Sequence, residues 1–158
     1  MFCVLLILQG IVFVTGFPDG APSDTCVKAR ANQPNHGASR SQDLHTLPYE
    51  VRATTDTYNP GQQVQVTVEG SDLFRGFFLQ ARDADTNEWI GTFKESPNTK
   101  LIPECSAITH ADPKDKQAAV FLWNAPQHKK GRVYFTGTVV KDYGTYWADI
   151  IAKIPATE

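Results

Sequence analysis

From Pro48 onward the chain is written in short apolar runs separated by turn residues, and this pattern restricts the fold more than any other feature. Val64, Val66 and Val68 alternate with Gln65, Thr67 and Glu69, so one face of an extended segment is apolar and the other is wet. Tyr49, Val51 and Ala53 alternate in the same way with Glu50, Arg52 and Thr54. Between these runs, Asn59-Pro60-Gly61 carries the Pro-then-Gly pair that a type II turn takes at its two central positions. Further on, Phe77 to Arg82 and Glu88 to Phe93 flank the polar stretch 83–87 and read as a hairpin. Cys105 to Thr109 reads as a short strand, and Ala118 to Trp123 as a wholly apolar central one. Arg132 to Val140 and Thr145 to Ile154, joined by Asp142-Tyr143-Gly144, complete the set. No stretch has convincing helical periodicity.

The spacing therefore predicts an all-β fold: an immunoglobulin-like antiparallel β-sandwich of about eight strands, its aromatic residues filling the space between the sheets, with a closed barrel as the alternative. Residues 17–47, with Pro18, Pro22 and Pro34 and a polar stretch from Ser39 to Asp43, are expected to be an irregular N-terminal segment. A length of 158 residues suits one such domain. A formal net charge of −2 gives no basis for nucleic-acid binding, which draws on a clearly basic face.

Residues 2–14 are almost wholly apolar and uncharged. A bilayer span needs about 20 such residues, whereas this run has the length of a signal-peptide core. Residues 1–16 are thus expected to be a signal peptide cleaved after Gly16, leaving an exported domain over 17–158 with no membrane span. No Lys or Arg precedes the run, so the free amino group alone supplies positive charge there. Cys3 would leave with the signal. The two cysteines that remain, Cys26 and Cys105, are expected to form a disulfide, as paired cysteines of exported chains do by default.

No arrangement of residues announces catalysis. The four histidines, His36, His45, His110 and His128, lack ligand spacing; His36 in Pro-Asn-His-Gly reads as a turn histidine. A copper-dependent polysaccharide oxygenase needs histidine at the mature N-terminus, where cleavage leaves Phe17. Asp83, Asp85 and Asn87 imitate the start of a calcium loop, but Glu88 stands where glycine is required and Lys94 where a bidentate glutamate belongs. No GxSxG motif surrounds a serine. The expectation is a binding protein with no metal, no cofactor and no catalytic residue.

The sharpest charged feature is His128-Lys129-Lys130-Gly131-Arg132. It is either a solvated turn between strands or a grip for phosphate groups, to which charge-assisted bonds are strong. Among the aromatics, Trp89 borders a polar loop and is the best placed to stack on a sugar, since most others belong to the core. Lys129, Lys130, Arg132, His128 and Trp89 are the candidate ligand-binding residues.

In order and spacing, Cys26, Pro34-Asn35-His36-Gly37, Pro48-Tyr49, Tyr58-Asn59-Pro60-Gly61, Val64 to Val68, Phe74 to Arg82, Trp123-Asn124-Ala125-Pro126 and Tyr146-Trp147 resemble the reeler domain. A signal peptide with one solitary domain of this kind is similar to the small insect defence proteins of the noduler type. That resemblance implies a secreted protein of the haemolymph that binds microbial wall polymers (lipopolysaccharide, lipoteichoic acid, β-glucan) and supports antimicrobial defence or haemocyte aggregation at the haemocyte surface. Larger relatives append haem-binding and cytochrome-type membrane domains that reduce ferric iron. This sequence has room for neither, so that chemistry is not expected here. The same sandwich would also serve as an extracellular adhesion or matrix module binding a host protein.

Overall fold

The computed structural model describes residues 17–28 and 31–155; the expected signal peptide lies outside them. The fold is two antiparallel sheets packed face to face, with ten strands among the described residues rather than about eight. In chain order these are β1 (Tyr49–Ala53), β2 (Thr57–Tyr58), β3 (Gln63–Phe74), β4 (Gly76–Asp83), β5 (Thr92–Phe93), β6 (Thr99–Ile102), β7 (Ala107–His110), β8 (Lys116–Asn124), β9 (Gly131–Asp142) and β10 (Thr145–Ile151). Sheet one runs β1-β3-β8-β5, and sheet two runs β10-β9-β4-β7-β6, with β2 added beside β9.

The alternation in β3 does what it predicts. Val64, Val66 and Val68 are fully buried against sheet two, while Gln63 and Gln65 face water. The turn before it also forms: the Gln62 N–H donates to the Asn59 carbonyl (3.1 Å), and Gly61 takes φ +68°, the conformation that glycine adopts without steric cost. Between the sheets lie Phe74, Phe77, Phe121, Trp123, Phe135 and Trp147, all buried. Phe77 meets Phe121 at 4.7 Å between ring centroids.

Three local expectations change. After the polar loop the chain does not return as a full hairpin strand. Trp89 bridges Arg82 and the Ile90 N–H reaches the Ala81 carbonyl. Gly91, at φ +63°, then swings the chain to sheet one, where Thr92 and Phe93 pair with β8. The run Ala118 to Trp123 is not buried throughout: Val120 is half exposed, because it alternates with the buried Phe121 and points to the outer face of sheet one, beside Thr67 of β3. An additional strand, β6, pairs with β7 and extends sheet two.

The N-terminal segment is irregular apart from two short 3₁₀ turns, as its prolines predict, but it is firmly attached. It covers the outer face of sheet two, where Gln80, Thr109, Thr136 and Thr138 are buried polar residues. Asn32 satisfies most of that face. Its amide nitrogen donates to Thr136 Oγ1 (3.2 Å) and its side-chain oxygen accepts from Gln80 (2.6 Å). Its carbonyl accepts from Thr138. Buried polar groups carry a desolvation cost unless they are paired in this way. Farther along, Ala21 N–H donates to Thr109 Oγ1 (3.1 Å), and a disulfide joins Cys26 to Cys105 across a Cα–Cα distance of 5.7 Å.

Candidate functional site

The basic run forms the β8–β9 connection, and the structure sets it beside the polar loop that carries Trp89. Two contacts bind these loops together. Lys129 Nζ lies 2.5 Å from Asp83 Oδ2, and the Tyr134 hydroxyl donates to the Asn87 side chain. Asp83 ends β4 and organises the loop after it, since its Oδ1 accepts from the backbone N–H groups of Asp85 (2.9 Å) and Thr86 (3.0 Å). The Lys129 ammonium, with these two amides, holds the Asp83 carboxyl down at about 2; the same bond raises Lys129.

The five candidates therefore gather at one end of the sandwich in unequal states. Lys129 is committed to Asp83, and Arg132 pairs with Asp56 at 3.0 Å. His128 and Lys130 stand exposed, with no ion pair among the described residues. Trp89 is 38% exposed and held in place from two sides. Its indole N–H donates to Gln80 Oε1 (2.9 Å), and the Arg82 guanidinium lies 5.2 Å from its ring centroid, within cation–π range. Arg82 also donates to the same Gln80 oxygen (3.0 Å). Gln80 thus links the N-terminal segment, through Asn32, to the orientation of Trp89. A glutamine in the apolar run Phe77 to Ala81 was the available signal for this role, since a polar residue there must find partners.

A second feature lies at the opposite end of β4, where the N-terminal segment and sheet two leave a cavity of about 260 Å³. Phe77, Phe78 and Val140 line it from the sheet, Phe17 and Pro22 from the segment, and Tyr143 from the β9–β10 turn. His36 stacks on Tyr143 at 4.7 Å between centroids and meets Tyr146 edge-on at 5.8 Å. Its Nδ1 is buried with no hydrogen-bond partner among the described residues. His110 lines the cavity too, its Nδ1 3.2 Å from both the N–H and the carbonyl oxygen of Phe77. Gly76 makes room for that ring, because a Cβ there would lie 2.8 Å from His110 Cε1.

Burial lowers both histidines below the ordinary 6.5. For His110 the Phe77 backbone and Asp112 oppose burial while Lys116 adds to it; for His36 the Tyr143 backbone and Asp142 oppose it and His110 adds to it. A group held neutral in the fold takes up its proton more readily when unfolded. Stability is therefore complete above the ordinary value and is lost as pH falls through 6.5 toward the lowered folded values. The urea midpoint should accordingly drop between pH 7.5 and 5, and His110→Gln should flatten that drop even if it lowers the midpoint at neutral pH. A midpoint independent of pH over this range would contradict the assignment.

No group of three or more His, Cys, Asp or Glu side chains suited to a metal occurs among the described residues, and no helix among them is long and apolar enough to cross a membrane. A family model described as "Reeler domain" matches residues 26–156. Two proteins of Antheraea mylitta are similar over most of both lengths. "Putative defense protein 3" is 33% identical, covering 93% of this chain and 90% of that protein. "Putative defense protein 2" is 31% identical, covering 90% and 91% respectively. "Ferric-chelate reductase 1" of Homo sapiens is also 31% identical over 96% of this chain, but the match spans only 26% of that protein. Among solved structures, the human F-spondin reeler domain superposes with a TM-score of 0.56 at 23% identity, over 76% of this chain and 94% of that one. That likeness concerns the fold alone. With most of its length matched by the family model, the chain belongs to the reeler-domain family.

Proposed function

We propose that this chain is an exported defence protein that recognises microbial surface molecules, and that its loops bind without performing covalent chemistry. The observation that carries the reading is the near full-length similarity to two proteins named as defence proteins. The similarity to a reductase is confined to about a quarter of that protein and brings no reductase activity with it. The Cys26–Cys105 disulfide suits the oxidising conditions outside the cell, in keeping with secretion into the haemolymph.

Within this reading, lipopolysaccharide, lipoteichoic acid and β-glucan are the ligands, and haemocyte aggregation is the outcome of binding. Lys130 and His128 offer hydrogen-bond donors for phosphate, and Trp89 offers a ring held at a fixed angle by Gln80 for a sugar face. Co-sedimentation with whole bacteria tests it. The exported chain should pellet with Gram-negative and Gram-positive cells and be released as salt rises, because exposed charge contacts are screened. A chain that stays in the supernatant with both would overturn it.

A second reading, adhesion to a host protein, is favoured by the uncovered edge of β8, where Ala118 and Val120 are exposed and an extended partner segment has room to pair. Retention on haemocyte membranes, with none on bacteria, would select it.

A further inference from the structure

We infer that the cavity between the N-terminal segment and sheet two is a binding site for a single medium-length acyl chain whose polar head remains at the mouth. Its lining is mainly apolar: Phe17, Pro22, Phe77, Phe78, Val140 and the ring of Tyr143. It is partly open to solvent, so the occupant is an amphiphile with an apolar body inside and a polar end in water. Its size sets the length of that body. An apolar cavity of about 150 Å³ takes a six-carbon ring, so about 260 Å³ takes roughly ten carbons in proportion.

The walls are built to hold this space open. Gly76 contributes no side chain, and the His110 ring occupies the position its Cβ would need. The N-terminal wall is bonded at two places and closely packed at a third. Ala21 N–H bonds Thr109 Oγ1 (3.1 Å), and Cys26 is joined to Cys105. Gly20, at φ +108°, lies so close to the His110 carbonyl that a Cβ would come within 2.4 Å of it. A wall fixed in this way does not collapse into the cavity, and the buried ring of Phe78, on the outer face of sheet two beside the Cys26–Cys105 disulfide, gives the chain a dry floor.

The site is separate from the loops that carry Trp89 and Lys129, but the inference deepens the proposed function and in part rests on it. Lipopolysaccharide and lipoteichoic acid both carry acyl chains, so one molecule would present a phosphate-bearing head and an apolar tail. A free fatty acid shares the tail chemistry.

Calorimetric titration of the exported chain with n-alkyl maltosides from six to twelve carbons, each below its micellar concentration, tests the site. Affinity should rise roughly fourfold per methylene and level off near ten carbons. Val140→Phe and Ala21→Phe, which fill the cavity from opposite walls, should each abolish the dependence on chain length; whichever of them keeps the wild-type melting temperature serves as the reporter. Lys129→Ala/Lys130→Ala should leave the titration unchanged. Decanoate binding at least as tightly as decyl maltoside would identify a free acid as the source, and weaker binding a glycolipid. No heat with any alkyl maltoside, no gain with chain length, or tighter binding of a naphthyl glycoside than of decyl maltoside would overturn the inference. Alkyl binding without retention on bacteria would instead sink the microbial reading and leave the cavity assignment standing.

Discussion

Replacing Cys26 and Cys105 together by Ala lowers the unfolding free energy by roughly 4–5 kcal/mol in the loop-entropy account. The bond closes a sequence separation of 79 residues, and a chain of that length gains much freedom when released. For a domain of this size such a loss corresponds to roughly 10–15 °C in melting temperature. Both cysteines are buried beside Phe78, Ile102 and Ala107, which is why Ala, rather than a hydroxyl-bearing Ser, isolates the crosslink. The bond also ties the N-terminal segment to the short turn between β6 and β7, so the double variant should lose amide protection at Ala21, whose partner on β7 is Thr109. Denaturant unfolding with and without dithiothreitol checks this. Reduced wild type should fall to the stability of the variant, and the variant should not respond to reductant. Equal stability of oxidised and reduced wild type would show that the segment is held by its hydrogen bonds alone.

Truncation of Trp123 is expected to cost nearly as much, about 3–5 kcal/mol for Trp123→Ala. The indole is completely buried and lies edge-on to Tyr58 and Phe135, at 5.4 and 5.6 Å between centroids. Its N–H donates to the Ile90 carbonyl (2.9 Å), so the change leaves a cavity and an unpaired carbonyl together. Gly91 sits against the same ring, where a Cβ would lie 2.3 Å from Trp123 Cζ2, and the surrounding backbone is therefore shaped to this side chain. Trp123→Phe keeps part of the volume but loses the donor, and should cost about half as much. Urea midpoints measure both, and hydrogen exchange at the Ile90 amide should quicken in each. A loss below about 1 kcal/mol in Trp123→Ala would mean that β5 and β8 close around the gap, and that the ring does not key the two sheets.

The disulfide and Trp123 illustrate how much of the fold is legible in the sequence. The β3 alternation, the Pro60-Gly61 turn and the two remaining cysteines each encode a local or default outcome, and each appears in the structure. What stays hidden depends on cover supplied from far along the chain. Val120 lies in a run of apolar residues yet faces water, because it alternates with the buried Phe121 and Trp123 and its face of sheet one is left open. Gln80, Thr109, Thr136 and Thr138 occupy outward positions, where alternation predicts a wet face. They are buried because the described residues of the N-terminal segment, which lacks any periodic pattern, fold over them, with Asn32 as partner. The candidate site divides in the same way. The basic run and Trp89 stand out as a charge cluster and an aromatic beside a polar loop. Their partners, Asp83 and Gln80, are chosen by the pairing of β4 with β9, which no local spacing reveals. The cavity draws Phe17 and His36 from the N-terminal segment, His110 from the end of β7 and Tyr143 from the β9–β10 turn, and has no sequence signature.

Recognition through loops at one end of a stapled sandwich is the claim on which the functional account stands, and equilibrium binding to immobilised lipopolysaccharide, lipoteichoic acid and β-glucan measures it most directly. The account predicts saturable retention of the exported chain on at least one of these polymers. On the phosphate-bearing polymers it also predicts weakening of roughly tenfold or more in His128→Ala/Lys130→Ala, as expected when charge-assisted contacts to phosphate are removed, and a further loss in Trp89→Ala. Folded wild-type protein that passes all three surfaces unretained would contradict it.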